Sequence, residues 1–209
     1  MWFAENRTIK LPKLKNVLAK VHRKFDGIIK NATISQTPTG KYFVSILVDT
    51  NIDTLAITDK KVGIDLGIKD LVITTDGVKY SNDKLIHKYE KRIKRLQREL
   101  SRREKGSNNY CKTKDKISKV YMKLKNARKY TIHKITKEIT DTNDIIVTES
   151  LQIKNMLKNH ALASSIQDAS LSEIIRQLIY KSKWKNKRMY QIDTYYPSSQ
   201  ICSKCGYKN

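Results

Sequence analysis

Lys61 to Gly77, KVGIDLGIKDLVITTDG, reads as a strand, a turn and a second strand, with Asp65 in the middle of the first apolar run. Val62 and Ile64 before the acid and Leu66 and Ile68 after it predict that the run is buried. A bare carboxylate in such a run costs several kcal/mol. Something must hold it ionised, and a metal ion does that best. Gly63 and Gly67 flank Asp65 and leave room for close approach of a backbone or ligand. Asp76-Gly77 is a strong hairpin-turn signal. A competing reading is that Asp65 only opens a turn, as Asp often does in loops.

Working outward toward the N-terminus, residues 8–50 predict β structure. Ile28 to Ser35 and Tyr42 to Val48 alternate or run apolar, with the turn residues QTPTGK between them, so a hairpin is expected. On the other side lies the most charged part of the chain. Lys84 to Lys129 holds 18 Lys or Arg against 4 Asp or Glu, an excess of 14 in a chain whose net charge is +23. Ile86, Tyr89, Ile93, Leu96 and Leu100 step by three and four, a heptad seam. Residues 106–109, GSNN, break it, and Ile117, Val120, Leu124 and Ala127 resume the same steps. The pattern predicts an antiparallel helical hairpin over about residues 82–140, with a narrow apolar seam and a wide basic surface. Solvated helices mix charges of both signs into i,i+4 pairs, and this one has few acids for its many bases. Arg92, Arg95, Arg102, Arg103, Lys123 and Arg128 are therefore candidate phosphate contacts.

Residues 143–149, NDIIVTE, form a short apolar run ending in Glu149, the pattern of a central strand with an acid at its carboxyl end. Ser170 to Glu173 reads as a capping box, after which Leu171, Ile174, Ile175 and Leu178 give one apolar helix face. Met189 to Tyr195 reads as a returning strand. Cys202-x-x-Cys205-Gly206 has the spacing of one zinc knuckle, half of a four-ligand site; a redox pair is the alternative. His22, His87, His133 and His160 show no ligand spacing to one another.

The composition narrows the partner. Lys plus Arg is 43 against 20 acids, and the pI is near 9.9. So large an excess points to a polyanion, nucleic acid first, because each base placed on a phosphate releases condensed counterions. No apolar run of about 18 residues suggests a membrane span, and the opening MWFAENRTIK lacks the core of a signal peptide. Three cysteines do not make a disulfide framework, so a reducing, cytoplasmic compartment is expected.

Taken together, KVGIDLGIKDLVITTDG, IIVTESL, NHALASSIQDAS and YYPSSQICSKCG resemble, in order and spacing, the TnpB family, the OrfB-type proteins of insertion sequences. The resemblance implies an α/β fold, an RNase H-like (RuvC) mixed sheet, with the basic hairpin inserted at 82–140 of a domain spanning 61–196. Residues 1–60 match the end of a wedge-like β-barrel, and 197–209 the first half of a zinc ribbon. It further implies a prokaryotic, nucleoid-associated protein that uses a guide RNA to find target DNA and cuts it. In that family pattern Asp65 and Glu149 are the first two catalytic carboxylates, binding Mg²⁺ or Mn²⁺, and Cys202 and Cys205 bind Zn²⁺ once a second CxxC completes the ribbon. The chemistry is phosphodiester hydrolysis with two ions about 4 Å apart. Family members continue with that second CxxC and a third catalytic Asp, and they begin earlier; neither later motif occurs in these 209 residues. The chain therefore resembles the middle of the family protein, and weak metal occupancy with little cleavage is expected. The other expectation is a binding protein that holds nucleic acid through the hairpin without cutting it.

Overall fold

The computed structural model describes residues 2–4, 8–11, 16–21, 25–51, 55–193, 196, 201, 205 and 207. The chain forms two compact units, Met1–Ile52 and Asp53–Asn209.

In the first unit, strands β1 (Trp2–Ala4), β2 (Thr8–Lys10) and β3 (Asn16–Leu18) form an antiparallel sheet. The expected hairpin is β4 (Ile28–Gln36) paired with β5 (Tyr42–Asp49), with a bulge between Ile29 and Asn31. Gly40, at φ 76°, closes its turn, and its N–H donates to the Thr37 carbonyl at 2.9 Å. Among the described residues these are two separate sheets of three and two strands, not a closed barrel.

The second unit is built on a five-stranded mixed sheet in the order β10-β9-β6-β7-β8. Strands β6 (Lys61–Asp65), β9 (Ile145–Glu149) and β10 (Arg188–Ile192) are parallel. Strand β7 (Asp70–Thr74) runs antiparallel to β6, and β8 (Lys79–Ser81) antiparallel to β7. The Asp76-Gly77 turn joins β7 to β8, with Gly77 at φ 83° and its N–H on the Thr74 carbonyl at 2.9 Å.

Between β8 and β9 the chain makes the helical pair α1 (Leu85–Ser101) and α2 (Asn108–Thr142), packed on each other. Ser107 caps α2 by accepting the Tyr110 N–H at 3.2 Å. Leu96, Val120 and Leu124 are buried along the predicted seam, with Ile93, Leu100 and Ile117 half-buried beside them. Further along α2 the apolar steps change partner: Ile132, Ile135 and Ile139 leave α1 behind and join the sheet core. One helix thus serves two cores.

That core fills one face of the sheet. Val62, Ile64, Val72 and Ile146 meet the α2 isoleucines, Ala169 at the end of α4 (His160–Ala169) and Leu171, Ile174 and Leu178 of α5 (Leu171–Trp184). A short helix, α3 (Ile153–Met156), packs at its border.

Two expectations are corrected here. Ser170 does not form a capping box: it sits at φ 51°, its hydroxyl donates to the Gln167 carbonyl at 3.1 Å, and no side chain caps α5. The cause is that α4 and α5 abut with one residue between them, so Ser170 must reverse the chain in the left-handed region. Glu173, freed from a cap, accepts from Arg176 and Gln177 instead. Residues 55–60, expected with the first unit, belong to the second. The Asp144 carboxylate accepts the N–H groups of Thr58 and Asp59 at 2.5 and 2.6 Å, and buried Lys187 bridges Asp144 to the Ala56 carbonyl.

Candidate functional site

Alternation along β6 and β9 decides where the two predicted carboxylates point. In β6, Val62, Ile64 and the following Leu66 face the core, so Gly63 and Asp65 face the other way. Asp65 is exposed, which corrects the expectation of a buried acid: the apolar residues around it are inward-facing neighbours, not a two-sided apolar run. In β9, Ile146 and Thr148 are buried and Val147 and Glu149 half-buried on the opposite side.

The register then brings the acids together. Ile64 pairs with Thr148 across parallel strands, so Asp65 and Glu149, one residue further on, end adjacent strands at the same edge of the sheet and on the same face. They are 84 positions apart in sequence. Ile192 of β10 is in register with Glu149, and Asp193 follows it. No group of three metal-ligating side chains occurs among the described residues. The donor chemistry fits a hard divalent cation: two carboxylates, no competing sulfur or imidazole, on an accessible face. Two acids supply fewer oxygens than such an ion prefers, so water or a phosphate must complete its shell. Cys205 is exposed and free; Cys202 lies outside the described residues.

The basic hairpin presents a second feature. Arg95, Arg98, Arg102 and Arg103 line a groove of about 500 Å³ at the far end of α1, with Glu99 as its one acid. Glu99 is occupied: it accepts from Arg103 at 3.1 Å and from Thr113 at 3.2 Å. The guanidinium of Arg103 holds the Glu99 carboxyl below its ordinary range. Arg92 and Lys123 are exposed on the same pair of helices. Arg128 departs from the expected basic surface. It turns inward and binds Asp168 through Nε at 2.9 Å and Nη2 at 2.6 Å, with the acid buried. The sequence carries no signal for this pairing except that Asp168 interrupts an apolar helix face. No helix among the described residues is long and apolar enough to cross a membrane.

Comparison with known proteins places the chain among mobile-element proteins. Residues 41–160 match the OrfB_IS605 family, described as "Probable transposase", and residues 172–209 match a "Cas12f1-like, TNB domain". A Streptomyces pristinaespiralis protein named "Putative RNA-guided DNA endonuclease" is 36% identical over 83% of this chain and 43% of its own length. "Putative RNA-guided DNA endonuclease InsQ" of Escherichia coli K12 is 33% identical over 97% of this chain and 54% of its own. The chain spans about half the length of these relatives. A solved structure titled "Cryo-EM structure of CRISPR-Cas12f Ternary Complex" aligns at 20% identity and TM-score 0.49, over 79% of this chain and 34% of that one. By the match over more than half its length, with relatives one-third identical along most of it, this chain belongs to the OrfB/IS605 transposase family of TnpB-type proteins.

Proposed function

We propose that the second unit is a RuvC-like nuclease module of the RNase H-like fold, hydrolysing DNA phosphodiesters as part of an RNA-guided protein. The observation that carries this reading is the placement of Asp65 and Glu149 side by side at the carboxyl ends of adjacent parallel strands, on the face away from the core. Bound there, Mg²⁺ or Mn²⁺ supplies an activated water and charge stabilisation for the leaving oxygen. The protein's own part is geometric. The β6–β9 ladder fixes the spacing of the two carboxylates, and Gly63 lets Thr75 pack against β6, where a Cβ would come within 2.8 Å of Thr75 Cγ2. Gly63 is itself pinned, its N–H donating to Thr75 Oγ1 at 3.2 Å. The Cys202/Cys205 pair is assigned to half of a zinc site that needs two further ligands. Guide RNA and target DNA are the assigned partners, supported by the names of the relatives and the arginine groove.

The test is cleavage of labelled single- and double-stranded DNA in Mg²⁺ and in Mn²⁺, with co-purified RNA retained, beside Asp65→Ala and Glu149→Ala. Cutting that falls to background in both variants supports the assignment; cutting unchanged by either substitution removes it. A second reading, a protein that binds nucleic acid without cutting, is favoured by the arginine groove and the acid-poor hairpin. It gives DNA or RNA binding that persists in both variants with no cleavage in any of them.

A further inference from the structure

A cavity of about 320 Å³ lies where the loop after β6, the start of α1 and helix α4 meet. The loops after β6 and β8, and the segment after β9 that leads to α4, all leave the sheet at the edge that carries Asp65 and Glu149. Lys69 and Lys84 supply its positive charge, His87 an imidazole, and Ser164 and Ser165 hydroxyls. Ile68, Ile86 and Leu162 form an apolar wall.

Asn82 builds the basic side. Its Nδ2 donates to the Ile68 carbonyl at 2.9 Å, its Oδ1 accepts the Lys84 N–H at 3.0 Å, and its own N–H donates to the Lys69 carbonyl at 3.1 Å. One side chain thus fixes both loops that carry lysines. Lys84 is held at φ 45°, a left-handed conformation that a lysine adopts only under such constraint. The one acid in the lining, Asp168, does not repel an anion. Its Oδ1 takes both Arg128 bonds and its Oδ2 the Ile86 N–H at 3.1 Å, so its charge is spent inside the protein. Three further acids lie near the lysines: Asp70 follows Lys69 in β7, Asp83 accepts from Thr131 Oγ1 at 3.2 Å, and Glu90 pairs with Lys94 at 2.5 Å and faces His87 at 3.5 Å.

We infer that this cavity is a subsite for one phosphate-bearing nucleotide: Lys69 and Lys84 grip the phosphate, the serine hydroxyls donate to it, and the apolar wall receives sugar and base. Its volume suits one nucleotide and not a duplex. The inference rests on the nucleic-acid reading above, and its test is done without metal so that it does not depend on cleavage.

The test follows the methyl resonances of Ile68, Ile86 and Leu162 in the intact chain, in EDTA, on titration with a short single-stranded oligothymidylate and, separately, with thymidine 5′-monophosphate. The expected result is that the oligonucleotide shifts these methyls, and that Lys69→Gln with Lys84→Gln weakens that response about tenfold or more, as for loss of charge-assisted bonds. Ser164→Trp, which leaves every charge in place and fills the cavity from an exposed position, should weaken it as well. An oligonucleotide response tighter than that of the mononucleotide assigns the phosphate to a strand; equal responses assign it to a free nucleotide. Methyls unmoved by either probe, or a response that survives Ser164→Trp, overturn the proposal. Arg95→Gln with Arg98→Gln separates the two readings: binding lost there but intact in the cavity variants leaves the hairpin interface standing and removes the subsite.

Discussion

Asp168 is held by donors from α1 and α2, and none of the three bonds is local in sequence. Asp168→Ala strands the partly buried Arg128 and frees the Ile86 N–H; by comparison with other pairs broken on one side it should cost about 3 kcal/mol, measurable by urea unfolding. Arg128→Ala should cost a similar amount, and the double variant less than the sum of the two. Acid stability is a second matter of single residues. A hydrogen bond from Arg176 brings the Glu173 carboxyl down to about 2, and one from Lys187 does the same for Asp144. Both values are depressed, so their stabilisation is complete above the ordinary carboxylate range near pH 4 and is lost as pH falls from about 4 to 2. Melting temperatures between pH 5 and 2 should therefore drop steeply, and Glu173→Gln with Asp144→Asn should make the drop shallower. Val62, Ile64 and Leu66 carry the alternation that exposes Asp65, but apolar residues on both sides of the acid make the run read as buried throughout. The partnership of Asp65 with Glu149 was not legible, because parallel register across 84 positions leaves no local mark.

At the level of elements, α2 shows where periodicity informs and where it stops. Its first half carries the heptad seam legible in Ile117, Val120 and Leu124, and its second half packs Thr136 and Thr140 against polar groups of α5. Lys181 of α5 is buried there, donating to Thr136 Oγ1 at 2.6 Å and the His133 carbonyl at 3.0 Å. Burial, and then Lys185 beside it, lower its pKa to about 8. The unfolded chain, with an ordinary lysine, binds the proton more tightly, so stability should rise as pH climbs from about 8 toward 10.5. Lys181→Met should flatten that rise in chemical-unfolding curves taken across the range. Above pH 10 the trend turns, since burial and a hydrogen bond to Glu138 push Tyr80 up to about 12 and its ionisation favours the unfolded chain. The capping box predicted at Ser170 failed for an element-level reason: the motif specifies a helix start, and nothing in it shows that another helix ends one residue before.

Over the whole molecule the charge of +23 sets how it meets a partner, with more than half of the excess on the hairpin. Affinity for DNA or RNA should fall steeply with salt, and reversing the charges of Arg92, Arg95, Arg102 and Arg103 should reduce the slope of log K against log salt by about 0.7–0.9 per phosphate contact removed. An unchanged slope would place the contact surface elsewhere. The same hairpin also has a mechanical side. Helix α2 is a single rod of 35 residues, about 50 Å long at 1.5 Å per residue. Its root is packed in the sheet core through Ile132, Ile135 and Ile139, and two residues beyond its end the chain enters β9, the strand that ends in Glu149. A tilt of about 5° at that root sweeps the far tip through roughly 4 Å for a rod of this length. The hairpin is in this sense a pointer with its pivot set in the five-stranded sheet, and a load on its tip bears with long leverage on the strand that ends in Glu149.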